Sequence, residues 1–182
     1  MKKYMKLLLV VVLAVALVAV TGCDKDPAAS FKNPKTIKYT TDKGTISLTY
    51  DDDGSFEVDE NDPYVVLKNK GKNFRIDMDF SNSTVKEQET TRDNFKKDKD
   101  YLIIENLEYR GYKGYAMVQK EYTTTNLYLV LDEANDIVSN IKVSPVMTST
   151  ATDELEKGKK PEDVLFNQET VQQILKTVKY EK

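Results

Sequence analysis

The chain has 182 residues, 27 basic and 30 acidic, with a formal net charge of −3 and no histidine or tryptophan. Lack of histidine excludes Ser/His/Asp triads, Cys/His dyads, imidazole metal ligands and an imidazole pH switch. With a single cysteine, Cys23, no disulfide can form within the chain, and thiol redox chemistry has no resolving partner.

The N-terminus carries Lys2, Lys3 and Lys6, then an apolar run from Leu7 to Ala19, then Val20, Thr21, Gly22 and Cys23. At roughly 1.5 Å per helical residue the run reaches about 20 Å, short of a roughly 30 Å hydrocarbon core, so a removable export signal fits better than a permanent span. The Val20 to Cys23 run resembles the lipobox of bacterial lipoproteins. That resemblance implies a signal peptide over residues 1 to 22, a diacylglyceryl group on the Cys23 sulfur, and a lipid-anchored extracytoplasmic protein beginning at Cys23. Two acyl chains hold a protein on a membrane where one is marginal. The remaining 160 residues hold 24 basic and 30 acidic side chains, a charge of −6 that disfavours nucleic acid as a partner. They have the usual size of one domain.

Residues 23 to 35 combine charges, two prolines and no hydrophobic period, which predicts a flexible tether. Residues 36 to 182 then form the expected single domain. Ile46, Leu48 and Tyr50 alternate, the Asp51 to Gly54 run predicts a turn, and Phe56 and Val58 read as the second arm of a hairpin. Tyr64 to Leu67 reads as a short strand, Gly71 as a turn, and Phe74, Ile76, Met78 and Phe80 as a fourth strand. Thr84 and Glu87 have capping-box spacing, and only Val85 and Phe95 are clearly apolar between residues 84 and 97. The pattern predicts a helix lying outside a sheet with most of its surface wet, so any site on it must be polar.

Ile103, Leu107 and Tyr109, the arm Tyr115 to Thr123, then Leu127, Leu129 and Leu131, and finally Ile141 and Val143 predict three or four antiparallel neighbours joined by tight turns. A polar, Thr-rich connection follows Pro145, and Pro161 suits a first helical turn. Val171, Ile174, Leu175 and Val178 form one stripe of a closing helix, with Asn167 as its expected cap.

This element order resembles the PsbP-like fold, on the strand Ile46 to Tyr50 with its acidic turn, Phe74 to Phe80, the polar helix, the hairpins through Tyr128 to Val143, and the closing Val171 to Lys179 helix. The resemblance spans Thr36 to Lys182. It implies an α+β domain, an antiparallel sheet flanked by helices, used mostly for protein contacts, and it carries over no catalytic residues.

Three local features are candidate sites. Thr49, Asp51, Asp53, Gly54 and Glu60 match part of a calcium-loop spacing, with Thr where the pattern wants Asp and strands where it wants helices. Asp51, Asp53 and Glu60 thus read either as an acidic turn or as a weak calcium site. Ser83 with Lys86 and Ser139 with Lys142 match Ser-x-x-Lys, but the second pair faces opposite sides of a strand and the first sits where serine caps a helix. Six of the eleven tyrosines lie between Tyr101 and Tyr128, and Tyr109, Tyr112 and Tyr115 read either as sheet residues or as a partner surface with Tyr112 exposed at the turn. The expected function is a lipid-anchored, noncatalytic module that binds another envelope or extracellular protein and needs no cofactor. The alternative is a histidine-free hydrolase of cell-wall or glycan material.

Overall fold

The structure is a computed structural model that describes residues 26–59 and 64–182. The expected signal peptide, Cys23 and Glu60 lie outside the described residues. Among the described residues, ten strands form two sheets, with every pairing antiparallel.

The small sheet has the order β1-β2-β10, from β1 (Pro34–Thr41), β2 (Gly44–Asp51) and β10 (Lys179–Glu181). The large sheet has the order β3-β4-β5-β9-β8-β7-β6. Its strands are β3 (Phe56–Asp59), β4 (Val65–Asn69), β5 (Phe74–Phe80), β6 (Tyr101–Tyr109), β7 (Tyr112–Gln119), β8 (Thr124–Asp132) and β9 (Ile137–Ser144). Among the described residues there are four α-helices: α1 (Val85–Phe95), α2 (Thr148–Glu156), α3 (Pro161–Val164) and α4 (Glu169–Leu175). The expected antiparallel α+β class is what the chain adopts.

Strand alternation divides the large sheet into two faces. Phe74, Ile76, Met78 and Phe80 of β5, with Leu127, Leu129 and Leu131 of β8, point into one core. Ile46, Leu48 and Tyr50 of the small sheet and Val171, Ile174, Leu175 and Val178 of the closing segment cover them. The outer face carries Arg75, Asp77, Asn126 and Lys142, and α1 packs over its β6 end. Among the described residues, no helix is long and apolar enough to cross a membrane.

The β6 to β9 meander follows its predicted pairing. Arg110 and Gly111 both take positive φ, 51° and 84°, as a two-residue hairpin between twisted strands requires. Elsewhere the structure corrects the sequence reading. Five strands precede residue 80, because β1 is an edge strand burying only Ile37 and shows no clear period. β2 and β3 are not a hairpin: β1 and β10 occupy both edges of β2, so the Asp51 to Ser55 turn delivers β3 to the other sheet. That turn is built by side chains, with Gly54 N–H donating to Asp52 Oδ1 at 3.0 Å and Ser55 N–H to Asp53 Oδ1 at 3.0 Å.

The second half of the expected tether is docked. Asn33 donates to Asp51 Oδ1 at 2.7 Å and to the Asp52 carbonyl at 2.9 Å, and β1 starts at Pro34. The Thr-rich connection contains α2, anchored by buried Ala151. The closing helix is shorter than expected, ending at Leu175, and its cap position is Gln168, because the Asn167 side chain donates to Asp163 Oδ1 at 2.6 Å instead.

Candidate functional site

Local sequence builds one wall of a cleft beside α1. The Thr84 hydroxyl accepts from Glu87 N–H at 3.3 Å, and Glu87 Oε2 accepts from Thr84 N–H at 2.8 Å, so the expected capping box is formed. The Thr84 N–H and the Thr84 hydroxyl, the latter donating to Glu87 Oε2 at 3.1 Å, hold the Glu87 carboxyl below its ordinary range. Asp136, in the β8–β9 turn, accepts from Val85 N–H at 3.2 Å and ties the helix start to the sheet. Gln88 is the only buried residue of α1. Its Nε2 donates to Ser81 Oγ at 2.8 Å, and its Oε1 accepts from the Tyr115 hydroxyl at 2.8 Å. The helix is therefore fastened to the sheet by polar contacts.

Between α1 and the outer face lies a cleft of about 430 Å³, within the usual range for small-ligand sites. Tyr115, Tyr128, Val130 and Val138 line its floor, from β7, β8 and β9. Tyr115 and Tyr128 are cross-strand neighbours with ring centroids 5.2 Å apart and planes tilted by 33°. Burial pushes both phenols above their ordinary range, and Tyr128 raises Tyr115 further.

A register shift between Ile104 and Leu107 shapes the far side. Two residues, Glu105 and Asn106, fill the space opposite one, with Asn106 at φ 57°. This bulge aims the strand's polar groups toward the helix. Glu105 meets Lys96 Nζ at 2.7 Å and Arg92 Nε at 3.7 Å. Arg92 also meets Asp93 at 3.0 Å, which lowers the Asp93 carboxyl. Glu89, Glu108 and Lys113 stand exposed around the opening. Gly114 is needed beneath them, because a Cβ there would lie 1.8 Å from the Tyr128 carbonyl oxygen.

The three tyrosines expected as a partner surface do not share one exposed face. Tyr109 is 5 % exposed, points into the core and donates to Gln172 Oε1 at 2.9 Å. Tyr115 is 6 % exposed beneath α1 on the other side of the sheet. Tyr112 is half-buried at the turn, and its hydroxyl accepts from Tyr180 N–H at 3.2 Å. Tyr128 belongs to the same tyrosine-rich stretch and lines the cleft, but nothing in its spacing sets it apart in the sequence. Gln88 is equally unmarked, one of two amides, with Asn94, in a polar helix.

In the acidic turn, Asp51 accepts from Asn33, and Asp53 accepts from the Ser55 N–H and hydroxyl, which lowers its carboxyl. Both aspartates line a small cavity that also holds Lys72, whose ammonium donates to Thr170 Oγ1 at 2.6 Å. The Lys72 charge also helps to lower the Asp53 carboxyl. Among the described residues no three potential ligands gather for a metal ion. Ser139 is buried, and its Oγ accepts from Leu129 N–H at 3.1 Å, a structural role.

A second cavity, of about 460 Å³, lies at the β1–β2 turn beside Tyr180 and Lys182. Its lining is mainly turn residues and threonines, without the aromatic floor of the first. Compared with protein-family models, curated proteins and solved structures, the chain matches none.

Proposed function

We propose that the protein is an extracytoplasmic lipoprotein, held to the membrane through Cys23, whose PsbP-like domain is a noncatalytic binding module. The N-terminal run of lysines, short apolar core and lipobox supports the anchor. The order of strands and helices supports the family likeness. The cleft under α1 is the observation that carries the binding reading. It combines aromatic and aliphatic floor residues with a charged rim, the composition of a recognition site.

A glycan hydrolase would need two converging carboxylates, one free to hold a proton. Of the three acids in the cleft, Glu105 is ion-paired with Lys96 and Arg92, and Glu89 and Glu108 are exposed at the opening. The fold leaves the cleft open to solvent on the face away from the core, which suits a module displayed on a membrane.

Two measurements test the reading together. Mass spectrometry and fractionation of native protein should find an acylated Cys23 at the mature N-terminus, in membranes, with Cys23→Ser released. A photoreactive residue replacing Asn106 should capture a defined partner in intact cells, whereas one replacing exposed Met147 should not. An unmodified thiol in a cytoplasmic fraction overturns the anchor, and identical capture from both positions overturns the module.

A further inference from the structure

We propose that the cleft beneath α1 binds an organic cation with an apolar body: an ammonium or guanidinium group carried on an aliphatic or aromatic frame. The inference rests on the binding reading above and names the chemistry that the same site would select. Its floor supplies the place for the body. Val130 and Val138 are aliphatic, and the tilted Tyr115–Tyr128 pair presents aromatic surface.

The rim supplies the charge. Glu89 and Glu108 are exposed at the opening, and among the described residues neither has a cation within ion-pairing distance. Arg92, also in the lining, meets Asp93 at 3.0 Å and Glu105 at 3.7 Å and feels the charge of Glu89 more weakly. Lys113 stands opposite Glu108 in the β6–β7 register and balances one acid. Three acids against two bases still leave the lining one negative charge in excess. An anion would meet that excess and the negative field of the whole domain. A neutral ligand could use the floor but would leave the one excess negative charge of the lining unanswered. A cation at the rim keeps part of its hydration, so its desolvation cost stays low while its apolar frame is buried.

The test compares three molecules that share one body. Full-length lipid-anchored protein in nanodiscs of phosphatidylcholine is titrated calorimetrically at neutral pH with 2-phenylethylamine, 2-phenylethanol and phenylacetate, with empty nanodiscs subtracted. The amine should bind at least about tenfold more tightly than either congener. The double variant Glu89→Gln, Glu108→Gln keeps side-chain shape at exposed positions, and its melting temperature verifies folding. It should lose about tenfold in amine affinity while leaving phenylethanol unchanged. The inference is overturned if the amine does not bind, if phenylethanol or phenylacetate matches it, or if the double variant binds the amine as tightly as the parent. Partner capture through position 106 is read separately. If it persists in that case, the binding module stands and only the cation assignment falls.

Discussion

At the scale of single residues, Tyr115 joins the helix to the sheet. Its hydroxyl reaches both the Gln88 carbonyl, at 3.1 Å, and Gln88 Oε1, at 2.8 Å, in a setting where neither group can turn to water. Burial raises its phenol above the ordinary value, with Tyr128 adding to the effect, and the Tyr109 and Tyr128 phenols are raised by burial too. A raised phenol favours the protonated form in the folded chain. The stability it contributes is therefore complete below the unfolded value of about 10 and is lost as pH rises above it. Urea unfolding should show a midpoint that falls from about pH 10 upward. Tyr115→Phe should cost about 1–2 kcal/mol near neutrality, because Gln88 loses a buried partner, and should make the alkaline fall shallower. An alkaline slope identical in the variant would show that Tyr115 stays solvated in the native state.

At the scale of elements, what could be read from sequence was what is local. The α1 cap needs only Thr84 and Glu87, three positions apart, and both hydrogen bonds form as the spacing predicts. β5 and β8 alternate strictly because one side faces a core and the other water or α1. The elements that escaped detection are short or lack contrast. β10 has three residues, and α2 is rich in threonine and buries only Ala151. The cleft escaped for a different reason. The thin apolar stripe of α1 indicated a polar face, but its floor comes from β7, β8 and β9, and only the sheet register brings Tyr115, Tyr128 and Val138 beneath one helix. Since Gln88 alone of α1 is buried, the cap should matter to the helix more than to the domain. Thr84→Ala should cost about 1 kcal/mol and speed amide exchange across α1, while protection in β5, β8 and β9 stays unchanged. Uniform loss of protection across the sheet would show that α1 is integral to the core.

At the scale of the whole molecule, the small sheet is closed by the two ends of the domain. Sequence periodicity finds strands but cannot name their partners, and here β2 takes its second neighbour, β10, from the far end of the chain. Thr177 secures that junction across 128 positions: its hydroxyl accepts from Thr49 N–H at 2.7 Å and lies 2.6 Å from the Ile174 carbonyl. Beyond it, Val178 is fully buried, and the Tyr180 hydroxyl donates to the Lys43 carbonyl at 2.7 Å. The C-terminus is therefore part of the core rather than a tail. Removing residues 178 to 182 strips a buried aliphatic side chain, exposes an edge of β2 and leaves the β1–β2 turn without its tyrosine. The expected loss is on the order of 4 kcal/mol, read as a lower urea midpoint in one transition shared by circular dichroism and tyrosine fluorescence. Thr177→Val, which keeps the side-chain volume and removes the hydroxyl, should lose about 1–3 kcal/mol in the same assay. It serves where the truncated chain does not fold. If Thr177→Val left the midpoint unmoved, the hydroxyl would add nothing to the junction. If the truncation also left it unmoved, β10 would be an appendage and the two-stranded β1–β2 hairpin would suffice to cover the large sheet.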